Sequence, residues 1–194
     1  MTQLIQYASL RPTPWKNGGG TTTEIALSPA GAGFDEFDWR ISLATISQSG
    51  PFSRFPGIDR TLALVDGDGV LLDFGDERFV LSPSEPVVEF EGEAEVDATV
   101  TGGVTTDFNV MTRRGRCRHR LERRVVRGSE QLKRRAGTTI LFFAEGESLD
   151  LSSSSERIAL VRYDAVVLEN DETWTMETQQ ATVFVVDIIT KETT

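Results

Sequence analysis

The 194-residue chain is poor in the side chains that build disulfides and metal centres. It has one cysteine, Cys117, and one histidine, His119. A lone cysteine excludes an internal disulfide, and a single imidazole cannot supply the multi-histidine ligand sets of common catalytic metals. Positive charge is also scarce: 20 Lys and Arg face 30 Asp and Glu, for a net charge of −10 and a pI near 4.7. That deficit disfavours nucleic acid as a partner, because neutralising phosphates requires a basic surface. No apolar run approaches the roughly 18 residues of a membrane helix, so no membrane partner is expected. Residues 1–11 lack the basic region and apolar run of a secretion signal, and a cytoplasmic protein is the simplest expectation. What remains is ordinary for a globular chain. The hydrophobic fraction is 39%, and a chain of this length buries roughly 70% of its unfolded surface without staples.

The scarce cations are concentrated. Arg113 to Arg135 holds eleven Lys or Arg and two acids, a balance of +9 against −19 for the rest of the chain. Such a band reads first as the solvated face of long strands. The chain's own acidic surface, a partner subunit, another protein or an anionic ligand are further readings, and the surrounding negative charge opposes a long nucleic-acid footprint. Homodimerisation is the base-rate expectation, and the sequence does not choose an interface.

Short β runs dominate. Thr61-Leu-Ala-Leu-Val65, Val70-Leu-Leu-Asp-Phe74, Arg78-Phe-Val-Leu81 and Val87-Val-Glu-Phe90 are separated by Asp66-Gly-Asp-Gly69, Gly75-Asp-Glu77 and a Pro-bounded turn. Thr139 to Phe143, Arg157 to Val161, Ala165 to Leu168 and Ala181 to Ile189 continue the style. Strands at this spacing predict an all-β fold, a sandwich or closed barrel. A loose echo between the halves suggests two fused jelly-roll barrels forming one compact unit. The N-terminal half would span 1–104 and the C-terminal half 105–194, with the motifs placing a ligand pocket in the first.

Three stretches carry candidate chemistry. In Pro12-Thr-Pro-Trp-Lys-Asn-Gly-Gly-Gly-Thr-Thr-Thr-Glu24, consecutive glycines are entropically costly and need a reason. Gly18, Gly19 and Gly20 have two readings: an anion nest of N–H groups beside Lys16, with Asn17, Thr21 and Thr22 adding polar groups, or a tight turn that happens to carry a lysine. The lysine precedes the glycines, so this is not a Walker loop. In Trp39 to Ala44, alternation puts Arg40, Ser42 and Ala44 on one face. An inward Arg40 is either functional or paired, with Glu24, Asp38 and Asp59 as partners. Arg60 opens a strand and sits at the mouth of the same barrel, while Phe52 and Phe55 read as a hydrophobic plug. In Thr105 to Arg114, Asp107, Asn109 and Met111 share a face that suits either a pocket wall or a solvent-facing strand. His119, in step with Cys117 and Leu121, reads as a packed ring more readily than as a catalytic base.

At Pro14-Trp-Lys-Asn-Gly-Gly-Gly-Thr-Thr-Thr-Glu-Ile25 the sequence resembles the HutD/Ves family. Trp39-Arg-Ile-Ser42, Gly50 to Arg60 and Asp107-Phe-Asn-Val-Met-Thr-Arg-Arg114 extend the resemblance in order and spacing. It implies a double-barrel cupin, a bicupin, and a role in histidine utilisation that limits catabolic flux by binding an intermediate, with urocanate and formylglutamate as candidates. Cupin metal sites use clustered histidines, and Val70 to Phe74 and Glu85 to Phe90 contain none. No cofactor and no metal are therefore expected.

The favoured expectation is a metal-free, non-catalytic protein that binds a small anionic metabolite. Lys16 and the glycine amides would hold one carboxylate, and Arg40 or Arg60 a second. Asn17 and Asn109 would read an amide, formyl or imidazole edge, with Glu24 and Asp107 orienting the cations and Met111 lining the pocket. The alternative is a metal-free enzyme acting on a small carboxylic acid, with Glu24 or Asp107 as acid or base.

Overall fold

The structure is a computed structural model describing residues 2–134, 137–169 and 172–191. The strands are β1 (Thr2–Ile5), β2 (Pro12–Pro14), β3 (Gly20–Ser28), β4 (Trp39–Ile46), β5 (Gly50–Pro51) and β6 (Ile58–Asp66). Then come β7 (Val70–Asp73), β8 (Arg78–Leu81), β9 (Val87–Glu91), β10 (Asp97–Val100), β11 (Thr105–Arg113) and β12 (Cys117–Lys133). The last are β13 (Thr138–Gly146), β14 (Leu149–Ser152), β15 (Arg157–Leu160), β16 (Ala165–Leu168) and β17 (Thr173–Thr190). One 3₁₀ turn, Tyr7–Ser9, is the sole helical element among the described residues, so the fold is all-β. No helix among them is long and apolar enough to cross a membrane.

The chain forms two compact units, Leu10–Cys117 and a terminal unit made of Met1–Ser9 with Arg118–Thr194. The division follows Cys117, whereas 104/105 was the expected boundary. A cut there would strip β11 from β4 and β6, with which it is paired along its length.

In the 10–117 unit, a six-stranded sheet runs β2-β3-β4-β11-β6-β9 and a four-stranded sheet runs β5-β10-β7-β8. Met111 pairs with Arg40 on β4 and Arg60 on β6, and Asn109 pairs with Ser42 and Leu62. Directly opposed residues of an antiparallel pair share a face. Arg40, Ser42, Arg60, Asp107, Asn109 and Met111 therefore lie on one face together with Leu62 and Leu64. Those two leucines pack against Val70, Leu72, Leu81 and Ala98 of the four-stranded sheet. The shared face thus looks into the space between the sheets.

The β2–β3 turn shows why glycines are needed there. Gly18 has φ of +72°, a left-handed conformation that suits a residue without Cβ. A Cβ on Gly20 would stand 2.3 Å from the Thr45 carbonyl oxygen and 3.2 Å from the Trp15 ring, so only glycine lets the hairpin lie against β4.

In the terminal unit β1, β16, β13 and β17 are successive neighbours, β14 and β15 extend from β17, and β12 also pairs with β17. β17 reaches both parts because its 18 residues pair with β13 over 181–188 and with β14 over 175–177. The enclosed core is apolar, with Leu141, Phe143, Val166, Trp174, Met176 and Val183 among its members.

Candidate functional site

Two buried arginines stand on either side of Met111. Arg40 is 7% exposed and Arg60 6%. Arg40 Nε donates to Glu24 Oε2 at 2.9 Å, which answers the question of its partner. Glu24 can reach it because β3 pairs Glu24 with Ser42, one step along β4's inward face. The Arg40 guanidinium carbon lies 5.1 Å from the centre of the Phe34 ring. Arg60 is held by aromatic rings: Phe90 at 4.9 Å, Phe55 at 5.4 Å and Phe52 at 5.6 Å. Its Nη1 donates to the Ser53 carbonyl at 3.4 Å. Phe34 and Phe55 are themselves 6.0 Å apart, so the rings over the two cations adjoin. Phe52 and Phe55 do pack as the expected plug, and they also supply π faces to Arg60.

Burial dominates the electrostatics. It lowers the Arg60 pKa to about 10, with nearby Arg40 adding to the effect and Asp107 opposing it. Asp107 rises to about 7 because it is removed from water, and the Arg60 charge only partly offsets this. The carboxyl is thus poised to exchange a proton near neutral pH.

Four buried polar atoms here have no hydrogen-bond partner: Ser42 Oγ, Arg60 Nε, Asp107 Oδ1 and Asn109 Oδ1. More than about 90% of buried polar groups in folded proteins are paired, and each unpaired one costs about 1–3 kcal/mol. All four belong to the inward face set by β4, β11 and β6. A guanidinium N–H, a hydroxyl and two acceptor oxygens, next to the Arg40 guanidinium, offer hydrogen-bonding capacity suited to a small polar molecule carrying both donors and acceptors.

Of the residues singled out in the sequence, the fold gathers Glu24, Arg40, Arg60, Asp107, Asn109 and Met111. The buried-wall reading of β11 replaces the solvent-facing one, since Asp107, Asn109 and Met111 are 1%, 5% and 1% exposed. Lys16, Asn17 and Gly18 are instead exposed at the hairpin tip. The glycine amides there are largely consumed by the turn: Gly18 N–H donates to the Trp15 carbonyl at 3.0 Å and Gly19 N–H to Asn17 Oδ1 at 3.0 Å. Turn formation accounts for this segment without an anion. Thr21 and Thr22 are half-buried, and Thr22 Oγ1 accepts from Trp15 Nε1 at 2.8 Å.

Ser42 was visible as a face-mate of Arg40, and its place opposite Asn109 completes the set. Phe34 and Phe90 carried no local signal, because their roles depend on a loop and on β6–β9 pairing that brings Phe90 opposite Arg60. Cys117 is buried, its thiol donates to the Asp38 carbonyl at 2.9 Å, and burial raises its pKa. Among the described residues, no group of three or more His, Cys, Asp or Glu is placed to hold a metal ion.

A surface groove of about 650 Å³ lies behind Phe90, lined by residues of β8, β9 and the Phe74–Glu77 turn. Its size does not make it the better candidate for small-molecule chemistry, because none of the four unpaired atoms lines it.

Comparison with known proteins extends these observations. The HutD family model matches residues 7–186. An uncharacterized 21.2 kDa protein in the hutC 3′ region of Pseudomonas putida is 36% identical over 184 residues, covering 91% of this chain and 92% of that one. A conserved protein of unknown function from Pseudomonas aeruginosa PAO1 superposes with a TM-score of 0.89 at 30% identity, over 97% of this chain and 99% of that chain. HutD from Pseudomonas fluorescens SBW25 gives a TM-score of 0.81 at 26% identity, over 98% and 100%. At 8% identity, salicylate 1,2-dioxygenase from Pseudoaminobacter salicylatoxidans shares the cupin-like β fold alone, with a TM-score of 0.66 over 100% of this chain and 86% of that one.

Proposed function

This chain belongs to the HutD family, and on that premise we propose that it is a regulatory protein of histidine utilisation that binds a small anionic intermediate inside the 10–117 unit. The candidates are formylglutamate and urocanate, and binding limits flux through the catabolic route. The observation that carries this reading is the set of unpaired buried atoms beside Arg40 and Arg60. Stability alone gives no reason to bury two guanidinium groups within influence of each other while leaving donors and acceptors empty.

In this reading a ligand carboxylate takes the open nitrogens of Arg60 and the terminal nitrogens of Arg40, where the guanidinium fork suits paired oxygens. Glu24 holds Arg40 by its Nε and leaves the outer edge of the fork available. Asn109 Oδ1 accepts from a ligand N–H, and Ser42 Oγ donates or accepts as the ligand requires. The rings of Phe52, Phe55 and Phe90 shield the Arg60 charge from water, which strengthens its contacts. The two units correspond to the two barrels of a bicupin, and the setting is the cytoplasm, where catabolic intermediates accumulate.

Calorimetric titration of the metal-stripped protein with formylglutamate, urocanate and glutamate tests the proposal. Saturable binding of one of the first two, lost in Arg60→Leu, is the expected result. Silence with all three, in heat and in thermal shift, sinks it. The Asp107 pKa near 7 favours one second reading, a metal-free enzyme using Asp107 as acid or base. Turnover of the bound acid by wild type and its absence in Asp107→Asn would establish that reading instead.

A further inference from the structure

The cationic band forms β12, and β12 pairs with β17 and with no other strand among the described residues. Its second edge is therefore a long row of open backbone groups. Arg118, Arg120, Arg123, Val125, Arg127 and Lys133 are exposed along it. Arg118, Arg120 and Arg123 meet no acid within the described structure. Arg124, by contrast, is committed to Glu122 at 2.9 Å, and Arg127 Nε reaches only the Gln180 amide oxygen at 3.3 Å. Val125, 43% exposed, stands between Arg123 and Arg127 on the same face.

The groove in the 10–117 unit has the opposite character. β8 ends the four-stranded sheet and β9 ends the six-stranded sheet, so two more open edges border it. Its floor is Phe74, Phe79, Val88 and Phe90, and its rim carries Asp76, Glu77 and Glu89. The one rim cation, Arg78, is already paired with Asp73 at 2.8 Å. At about 650 Å³ the groove has room for several side chains of an added strand.

We infer that β12 of one copy of this chain docks into the groove between β8 and β9 of a second copy. Val125 enters the aromatic floor, and Arg123 and Arg127, about 13 Å apart along an extended strand, meet the acids on the two rims. The open edges supply main-chain hydrogen bonds, as in strand addition. Charge decides between this occupant and a symmetric β12–β12 pair, because the latter would set arginines against arginines. This contact does not depend on the ligand reading above: Phe90 is shared with the Arg60 surroundings, but none of the residues varied in the test below belongs to that site.

Sedimentation velocity of the full chain at low and high salt is the test. Association that strengthens with protein concentration and weakens with salt is expected. Arg123→Glu with Arg127→Glu, and separately Glu77→Lys with Glu89→Lys, should each weaken it by at least about tenfold, because each sets like charges against each other across the contact. Val125→Asp should do the same without altering the net charge of the rims. An equimolar mixture of the two charge-reversal proteins should associate again, since each then meets a complementary surface. A wild-type monomer at low salt overturns the inference. So does association that persists in the groove variant, or a mixture that fails to recover. All of these positions are exposed, and an unchanged melting temperature in each variant certifies that lost association reflects the contact.

Discussion

The 10–117 unit buries Arg40, Arg60, Asp107, Asn109 and Ser42 on one face of its larger sheet, whereas the terminal unit fills its interior with Leu141, Phe143, Trp174, Met176 and Val183. Both are built from antiparallel strands, none longer than 9 residues in the 10–117 unit and up to 18 in the terminal one. They differ in how buried polar groups are settled. In the terminal unit Thr139 Oγ1 donates to Asp187 at 2.7 Å, and the Asp164 carboxylate accepts from the Tyr7 and Val161 amides at 2.9 and 3.1 Å. There the unpaired side-chain atom is Trp174 Nε1. In the 10–117 unit four unpaired atoms converge on one face. One interior leaves little of its hydrogen-bonding capacity unused, whereas the other leaves a cluster of it open, which in the proposed reading a ligand takes up. A cupin-like framework accommodates both, which is why the fold alone does not assign the function.

The largest way to break this contrast is to damage the finished interior. Phe143→Ala in the terminal unit should cost about 3–5 kcal/mol in chemical denaturation, because close-packed aromatic volume is lost. The unfinished interior should respond in the opposite sense. Asp107 has a folded pKa of about 7, above its unfolded value, so the folded state holds the extra proton between about pH 4 and 7. Stability contributed by that proton is present at the acid end of this window and is lost as pH rises through it. Asp107→Asn should remove the dependence and leave the variant about 2–4 kcal/mol more stable than wild type at pH 8. Denaturation curves across pH settle the point, and equal curves for the two proteins would refute the buried-acid description.

Arg60→Leu sharpens the comparison at the level of binding. Loss of its charge-assisted bonds should weaken the bound acid by about 100-fold while leaving the melting temperature unchanged or raised. Affinity for an anionic ligand should also fall as pH rises above about 7, because ionised Asp107 repels it. A flat calorimetric pH profile would remove Asp107 from contact with the ligand. The smallest effect is expected from Lys16→Ala. An exposed charge at the hairpin tip should change affinity less than about threefold, in keeping with the modest worth of solvated ion pairs.

Much of the candidate site was legible before folding. Alternation in β11 put Asp107, Asn109 and Met111 on one face, and alternation in β4 joined Arg40 to Ser42. Glu24 was among the partners read for Arg40, and it is the one observed. The Gly18–Gly20 segment was harder, because a turn and an anion nest ask for the same residues. Asn17 takes up the Gly19 amide, and that bond depends on a local geometry which composition does not encode. Phe34 and Phe90 were invisible, since an aromatic residue near a cation in space need not be near it in sequence.

By itself, the sequence determined the all-β class, the shortage of metal-ligating side chains, and the parity that divides each strand into two faces. These follow from residue types and from the two-residue period of a strand, which are local properties. Tertiary structure decided which face turned inward, and that Arg40 and Arg60 both flank Met111. A slip of one residue between β11 and either neighbour would have turned the same polar set outward. Only the packing of Leu62 and Leu64 against the second sheet fixes that register and so closes the site.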